Sequence, residues 1–344
     1  MKLYLGIDTS AYTTSLAVVD GDNNIISDQR RVLEVKQGEK GLQQSEGLFQ
    51  HLKNLPFLFA QLPAGMAEQV AAMAVSAFPR NVEGSYMPVF IAGLSQAQAL
   101  SSYTGTPLYQ LSHQEGHIMA GLKGNEGLMA KKAFIACHFS GGTSEVLLVR
   151  RGEKTAFDIE ITMASSDLHA GQLVDRVGVA LGLPFPAGKH MEELALKLDQ
   201  DNYPAIPSAV KENSFSFSGA ETYALKLLQE GKPASAVVSS VFRVIANTLE
   251  KCLLKVAEKN GLNQVLLVGG VMANQLIRQR LLDRLEHPAV GLKLYFAQPH
   301  LSTDNAVGIA MLAAYLDQVT GGGGKVTEEP RVPFRVSPVT SKII

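Results

Sequence analysis

The chain has 344 residues, 46% hydrophobic and 18% charged, with a formal net charge of -1. That is ample apolar material for sizeable cores and for about two ordinary domains, so a disordered or fibrous chain is excluded. A protein that grips nucleic acid by bulk positive charge is excluded too, because phosphate affinity scales with Lys and Arg contacts; a local basic patch stays open.

The N-terminus has no separate apolar stretch with a cleavage site, and no run approaches the roughly 18 apolar residues that span a bilayer. Cys137 and Cys252 sit far apart in apolar segments, the pattern of two buried thiols in a reducing compartment. A cytoplasmic protein without membrane contact is expected.

In chain order, "LYLGIDTS" predicts a strand ending in a turn, "TTSLAVVD" the returning strand and "GDNN" the next turn. Residues 45–62 predict helix on either side of a break at Pro56. "AAMAVSAFPR" predicts a buried strand, residues 91–103 a helix, and residues 107–112 a short strand that delivers His113. Residues 133–150, "AFIACHFSGGTSEVLLVR", repeat the opening strand–turn–strand unit, which points to two similar lobes. Residues 173–183 and 191–198 predict short helices around "GLPFPAGK", and residues 237–258 a long helix. "QVLLVGGVMAN" predicts a strand entering a Gly-rich turn, followed by a helix in "QLIRQRLLDRL", a strand in "LKLYFAQP" and an Ala-rich helix over 305–316. "GGGG" at 321–324 ends the ordered body, and the tail beyond it is loose or strapped over the surface.

Three groups of residues carry candidate chemistry. His113 and His117, four apart on a helix, share a face and can meet one ion. The pattern is not the HExxH of a zincin, since the acid stands third. Asp304 supplies a carboxylate of the right type for a third ligand, with a helix N-cap as its plain alternative. Hydroxyl- and Gly-rich turns form the second group: Asp8, Thr9, Ser10, Thr13 and Thr14; then Ser140, Gly141, Gly142 and Thr143; then Gly269, Gly270 and Asn274. Such turns let backbone N–H groups approach phosphate, and Asp8 could orient water or Mg2+ beside it. No P-loop is present. Asp175, with Gly188, is a third candidate, as a ribose acceptor or as a surface partner of Arg176.

These pieces in this order resemble the TsaD/Gcp family of tRNA threonylcarbamoyltransferases, once misnamed O-sialoglycoprotein endopeptidases. "LGIDTS" with "TTSLAVV", "HQEGHI", "FSGGTSEVLLV", "AGQLVDRV" with "LGLPFPAG", "FSFSG", "LLVGGVMANQLIR" and "STDNAVGIA" carry the likeness, from about residue 3 to 318. The resemblance implies an α/β, two-lobed actin-like ATPase (ASKHA) fold with mixed sheets flanked by helices, a ribonuclease H-like duplication. It implies an N-terminal lobe at 1–131, a C-terminal lobe at 132–320 whose last helix packs back on the first, and a linker and tail at 321–344. It also implies metal ligands at His113, His117 and Asp304, which with Asp8 make up the candidate catalytic residues. Phe139–Thr143 would face the nucleotide, with Asp175 at the ribose and Gly188 and Asn274 along the adenosine. Fe2+ or Zn2+, an adenylate or ATP-type nucleotide, and N6 of adenosine 37 in tRNA follow as metal, donor and acceptor. A smaller TsaB-like homologue and a TsaE-like P-loop ATPase follow as partners.

The departures from the family pattern concern the phosphate side. The family's "CDET" is Ala11, Tyr12, Thr13 and Thr14; the histidine of "SGGHT" is Thr143; two acids of "DDAAGEAFDK" are Leu168 and Gln172; "PGG" is Pro186, Ala187 and Gly188; and a "GPGL" stretch is replaced by residues 77–87. They open a second reading, a diverged paralogue that binds nucleotide or metal without transferase activity. Fold analogy adds a third, a small-molecule kinase.

Overall fold

The opening hairpin sets the frame. Strand β1 (Leu3–Asp8) is buried along its whole length and pairs antiparallel with β2 (Thr13–Asp20). The computed structural model describes residues 1–10, 12–35, 42–152, 155–197 and 203–321. Ala11 and the tail beyond residue 321 lie outside the described residues, as does residue 198 at the end of one expected helix. The first half continues with β3 (Ile25–Val32), α1 (Gln44–Phe59), β4 (Val70–Phe78), α2 (Phe90–Thr104), β5 (Leu108–Ser112), α3 (His113–Leu122) and α4 (Glu126–Met129). Its sheet runs β3-β2-β1-β4-β5, antiparallel through β1 and parallel from β1 to β5.

The second half holds β6 (Ala133–Phe139), β7 (Ser144–Arg151), β8 (Phe157–Ser165), α5 (Ala170–Ala180), α6 (Gly188–Ala195), β9 (Ala209–Val210) and β10 (Ser214–Ser216). It ends with α7 (Ser218–Gln229), α8 (Ala234–Asn260), β11 (Gln264–Val268), α9 (Gln275–Leu285), β12 (Lys293–Phe296), α10 (Pro299–Ser302) and α11 (Val307–Thr320). The sheet order is β12-β11-β6-β7-β8-β10-β9. Its stretch β8-β7-β6-β11-β12 repeats the order and strand directions of β3-β2-β1-β4-β5. The hairpin repeat legible in the sequence is therefore one part of a repeated five-strand topology.

One local expectation is corrected, and one strand goes beyond the sequence reading. Helix α1 runs through Pro56 without a break, with Leu55 and Leu58 buried on either side of it. Core packing of that face outweighs the hydrogen bond the ring removes. The strand β3 follows the "GDNN" turn although "IISDQRRV" lacks a clean alternation; backbone pairing with β2 makes it an edge strand.

A central core joins the two sheets. It combines Tyr4, Val19 and Ala74 from the first with Phe134, Leu147 and Leu266 from the second, around Ile118 of α3 and Ile309 and Ala313 of α11. Helix α11 packs on α3, β1, β2 and β4. Gly308 sets how closely: a Cβ there would run into the Gly116 carbonyl of α3. The backbones of α3 and α11 touch, and this crossing positions the candidate site. Among the described residues no helix is long and apolar enough to cross a membrane.

Candidate metal centre and nucleotide cavity

The metal candidate is built on the first turn of α3. Ser112 is its N-cap and Glu115 completes a capping box: Glu115 N–H donates to Ser112 Oγ at 3.2 Å, and Ser112 N–H donates to Glu115 Oε2 at 2.9 Å. The acid that would be a base in a zincin thus fixes the start of the helix, with His113 at its first position and His117 one turn on. Asp304 comes from the turn between α10 and α11. It does not cap α11; Asn305 Oδ1 accepts from Val307 N–H at 3.0 Å instead.

Three ligand atoms converge there. His113 Nε2 and His117 Nε2 are 2.9 Å apart, and Asp304 Oδ1 lies 3.5 Å from the first and 3.4 Å from the second. Bonds of about 2.1 Å to one ion place ligand atoms roughly 3.0–3.5 Å apart, so the triangle has the size of a facial ligand set. The far nitrogen of His113, Nδ1, pairs with Asp8 Oδ2 at 2.8 Å, the carboxylate–histidine arrangement typical behind a metal. Asp8 is fully buried, and its oxygens also accept from Ser10 N–H, Ser10 Oγ and Ser76 Oγ. Asp8 thus stands behind His113, and Ser10 holds Asp8.

The electrostatics follow. Burial disfavours the charged form of Asp8, but His113 and the two hydroxyls outweigh it and lower its pKa. Burial likewise opposes an imidazolium at His113, yet Asp8 and Asp304 raise its pKa to about 10. Burial and the neighbouring His113 lower that of His117. Two carboxylates beside two imidazoles match the charge of a divalent cation.

Next to the triad is a cavity of about 450 Å³. Gly141, Asp175, Gly188, Gly270 and Asn274 line it, as the sequence suggested, and so does Thr303, the neighbour of Asp304. Lys189, Glu192, Val271 and Phe242 line it as well, and the sequence had not singled them out. Asp175 Oδ1 accepts from Ala187 N–H at 2.8 Å, whereas Arg176 pairs with Glu221 at 3.2 Å, so Asp175 is not a partner of Arg176. Burial pushes the Asp175 carboxyl up to about 6.

Other residues take structural places. The Phe139 ring is in the core, stacked on Phe215 with centroids 5.6 Å apart, which leaves its backbone as the part that can meet a ligand. Ser140 Oγ accepts from Gly142 and Thr143 N–H, which closes the turn. Gly269 has φ +97°, and a Cβ there would strike the Phe139 carbonyl, so the two turns touch. Asn274 caps α9 by accepting from Ile277 N–H at 2.9 Å. Tyr12 packs edge-on against Phe185, centroids 5.3 Å apart.

One residue of the cluster escaped the sequence reading. The His138 ring lies 4.4 Å from that of His117 and is buried. In "AFIACHFSGG" it is a single polar residue within an apolar strand, yet strand alternation puts it on the face of Phe134 and Ala136, toward α3.

Comparisons with known proteins follow this geometry. A profile described as "TsaD: tRNA N6-adenosine threonylcarbamoyltransferase" matches residues 50–311. Curated relatives of that name include one from Thermus thermophilus, 31% identical over 318 residues and 90% of this chain and 91% of its own. One from Thermotoga neapolitana is 29% identical over 89% of this chain and 91% of its own. Among solved structures, T. kodakarensis HypF superposes with a TM-score of 0.59 at 15% identity, over 92% of this chain and 48% of that one. Component A of the Acidaminococcus fermentans (R)-2-hydroxyglutaryl-CoA dehydratase superposes with 0.55 at 17% identity, over 93% and 100%. These likenesses show the two-lobed ASKHA, actin-like fold with mixed sheets flanked by helices. With the profile spanning most of its length, the chain belongs to the TsaD family.

Proposed function

We propose that the protein transfers a threonylcarbamoyl group from threonylcarbamoyl-adenylate to N6 of adenosine 37 in tRNA, using Fe2+ or Zn2+ at His113, His117 and Asp304. The observation that carries this reading is the adjacency of the ligand triangle to the cavity of Asp175, Gly188 and Asn274, linked through Thr303–Asp304. The cavity would take the adenylate, with Asp175 as acceptor for a ribose hydroxyl and the Gly141–Gly142 and Gly269–Gly270 turns offering backbone N–H groups to the phosphate. Attack by N6 forms a C–N bond at the carbamate carbon, breaks its bond to the adenylate oxygen and releases a proton. A bound ion would supply a Lewis acid for that carbonyl or a hold on the threonyl carboxylate. The amine is a weak nucleophile, so the chain's main task is to position the two substrates.

In this reading the lobes are 1–131 and 132–320, with α11 packed back on the first. A smaller TsaB-like homologue and a TsaE-like ATPase work with the protein in the cytoplasm, and tRNA contacts come from a local patch or from a partner. Expression in a strain depleted of its own transferase, followed by assay of the modified adenosine in tRNA, tests the proposal. Restored modification is expected; no rescue by the folded protein with its partners present would sink it.

A second reading, a nucleotide- or metal-binding paralogue without transfer, is favoured by the residues that replace family acids. Tyr12 packs on Phe185, Leu168 is buried, and Gln172 accepts from His169 N–H at the start of α5. Tight adenylate binding without turnover would support it.

A further inference from the structure

His138 is 2% exposed at the end of β6. Among the described residues it is the only side chain with two buried nitrogen atoms that find no hydrogen-bond partner in the protein. Leaving one buried polar atom unpaired costs about 1–3 kcal/mol, and native interiors leave few. The ring also stands in a telling place. Its centroid is 4.4 Å from that of His117 and 6.1 Å from that of His113, and His117 Nδ1 is a further unpaired buried nitrogen. His113 directs its second nitrogen to Asp8, whereas His138 has no such partner. Phe134 and Ala136 share its face of the strand, so nothing in β6 itself calls for an imidazole there.

We propose that His138 is a ligand of the same metal ion, adding a third imidazole to His113, His117 and Asp304. The ring centroid, 4.4 Å from that of His117, puts the imidazole within reach of the triad. Binding an ion would then settle the group that the protein alone leaves unpaired. Imidazole is a good donor for both zinc and iron, so the added ligand strengthens the site without choosing between them. The inference rests on the metal-centre reading above and goes beyond it by enlarging the ligand set.

The test uses the full chain, stripped of metal and reloaded with Zn2+ or Co2+ alone. X-ray absorption on the wild-type protein is expected to count three imidazoles. In His138→Leu the count falls to two, and chelator competition shows affinity lower by about 10–100-fold, the range seen when a metal's supporting groups are removed. Metal-free His138→Leu is expected to melt at or above the wild-type temperature, because an apolar group in place of an unpaired polar one is neutral or stabilising. A merely structural histidine would lower that temperature and leave affinity alone. His138→Phe serves as the second variant, and the wild-type count decides alone if neither variant folds. Two imidazoles in the wild type, or wild-type affinity in the folded variants, overturns the proposal while leaving the triad intact. A wild-type chain that takes up no metal overturns both.

Discussion

Asp8 Oδ2 and His113 Nδ1 are 2.8 Å apart, although the two residues stand 105 positions apart in the chain. This bond turns the other nitrogen of His113 toward His117 and Asp304. A carboxylate in that place fixes the ring and raises its basicity as a ligand. Asp8→Asn keeps the shape and removes the charge. We expect metal affinity to fall by about 10–100-fold, read by chelator competition. Unchanged affinity would show that Asp8 does not orient the ligand.

Gly308 and Gly116 hold the two halves of the metal centre together. A Cβ at 308 meets backbone atoms of α3, which cannot rotate away as a side chain can. Gly308→Ala should cost about 1–3 kcal/mol in denaturant unfolding, the usual range for overpacking, or more. It should also weaken metal binding, since separating the helices pulls Asp304 from the histidines. Gly141, with open space around its Cβ position, is the control for stability.

The carboxyl of Asp175 has a folded pKa of about 6, raised from 3.8 by burial. An acid whose pKa rises on folding binds its proton more tightly in the native state. Its burial is therefore tolerated at low pH and destabilises the protein as pH climbs through 6. Asp175→Asn should be more stable than the wild type at pH 7.5, by on the order of 1–3 kcal/mol. The gap should close as pH falls toward 4. Parallel melting curves at both pH values check this, and a constant gap would contradict it. The same variant should bind adenylate more weakly, because it lacks the charged acceptor.

Tyr12 and Phe185 bring the opening turn against the loop that leads to the cavity. A double-mutant cycle with Tyr12→Ala and Phe185→Ala should give a coupling energy of about 0.5–1.5 kcal/mol in unfolding. Coupling near zero would mean that the rings touch without stabilising the approach of the two segments.

The sequence by itself determined most of the elements and the family. The β1–β2 and β6–β7 hairpins, the His113–His117 pair on one helical face and the glycine turns are local patterns, set by side-chain period and turn chemistry. It marked His113, His117 and Asp304 as types of ligand, and it placed Asp175 and Gly188 among the cavity residues. Only the tertiary structure decided what those residues do to one another. Asp8 reads only as an acid in a turn until its carboxylate is seen against His113, and nothing local tells that the Phe139 ring lies in the core. His138 reads as nothing at all, because one imidazole in an apolar strand carries no spacing signal. Helix α1 passes Pro56 for the same reason: packing between distant segments outweighs the local preference. Burial, pairing and charge compensation belong to contacts between segments far apart in the chain, and those exist only once α3, α11 and the two sheets have closed on one core.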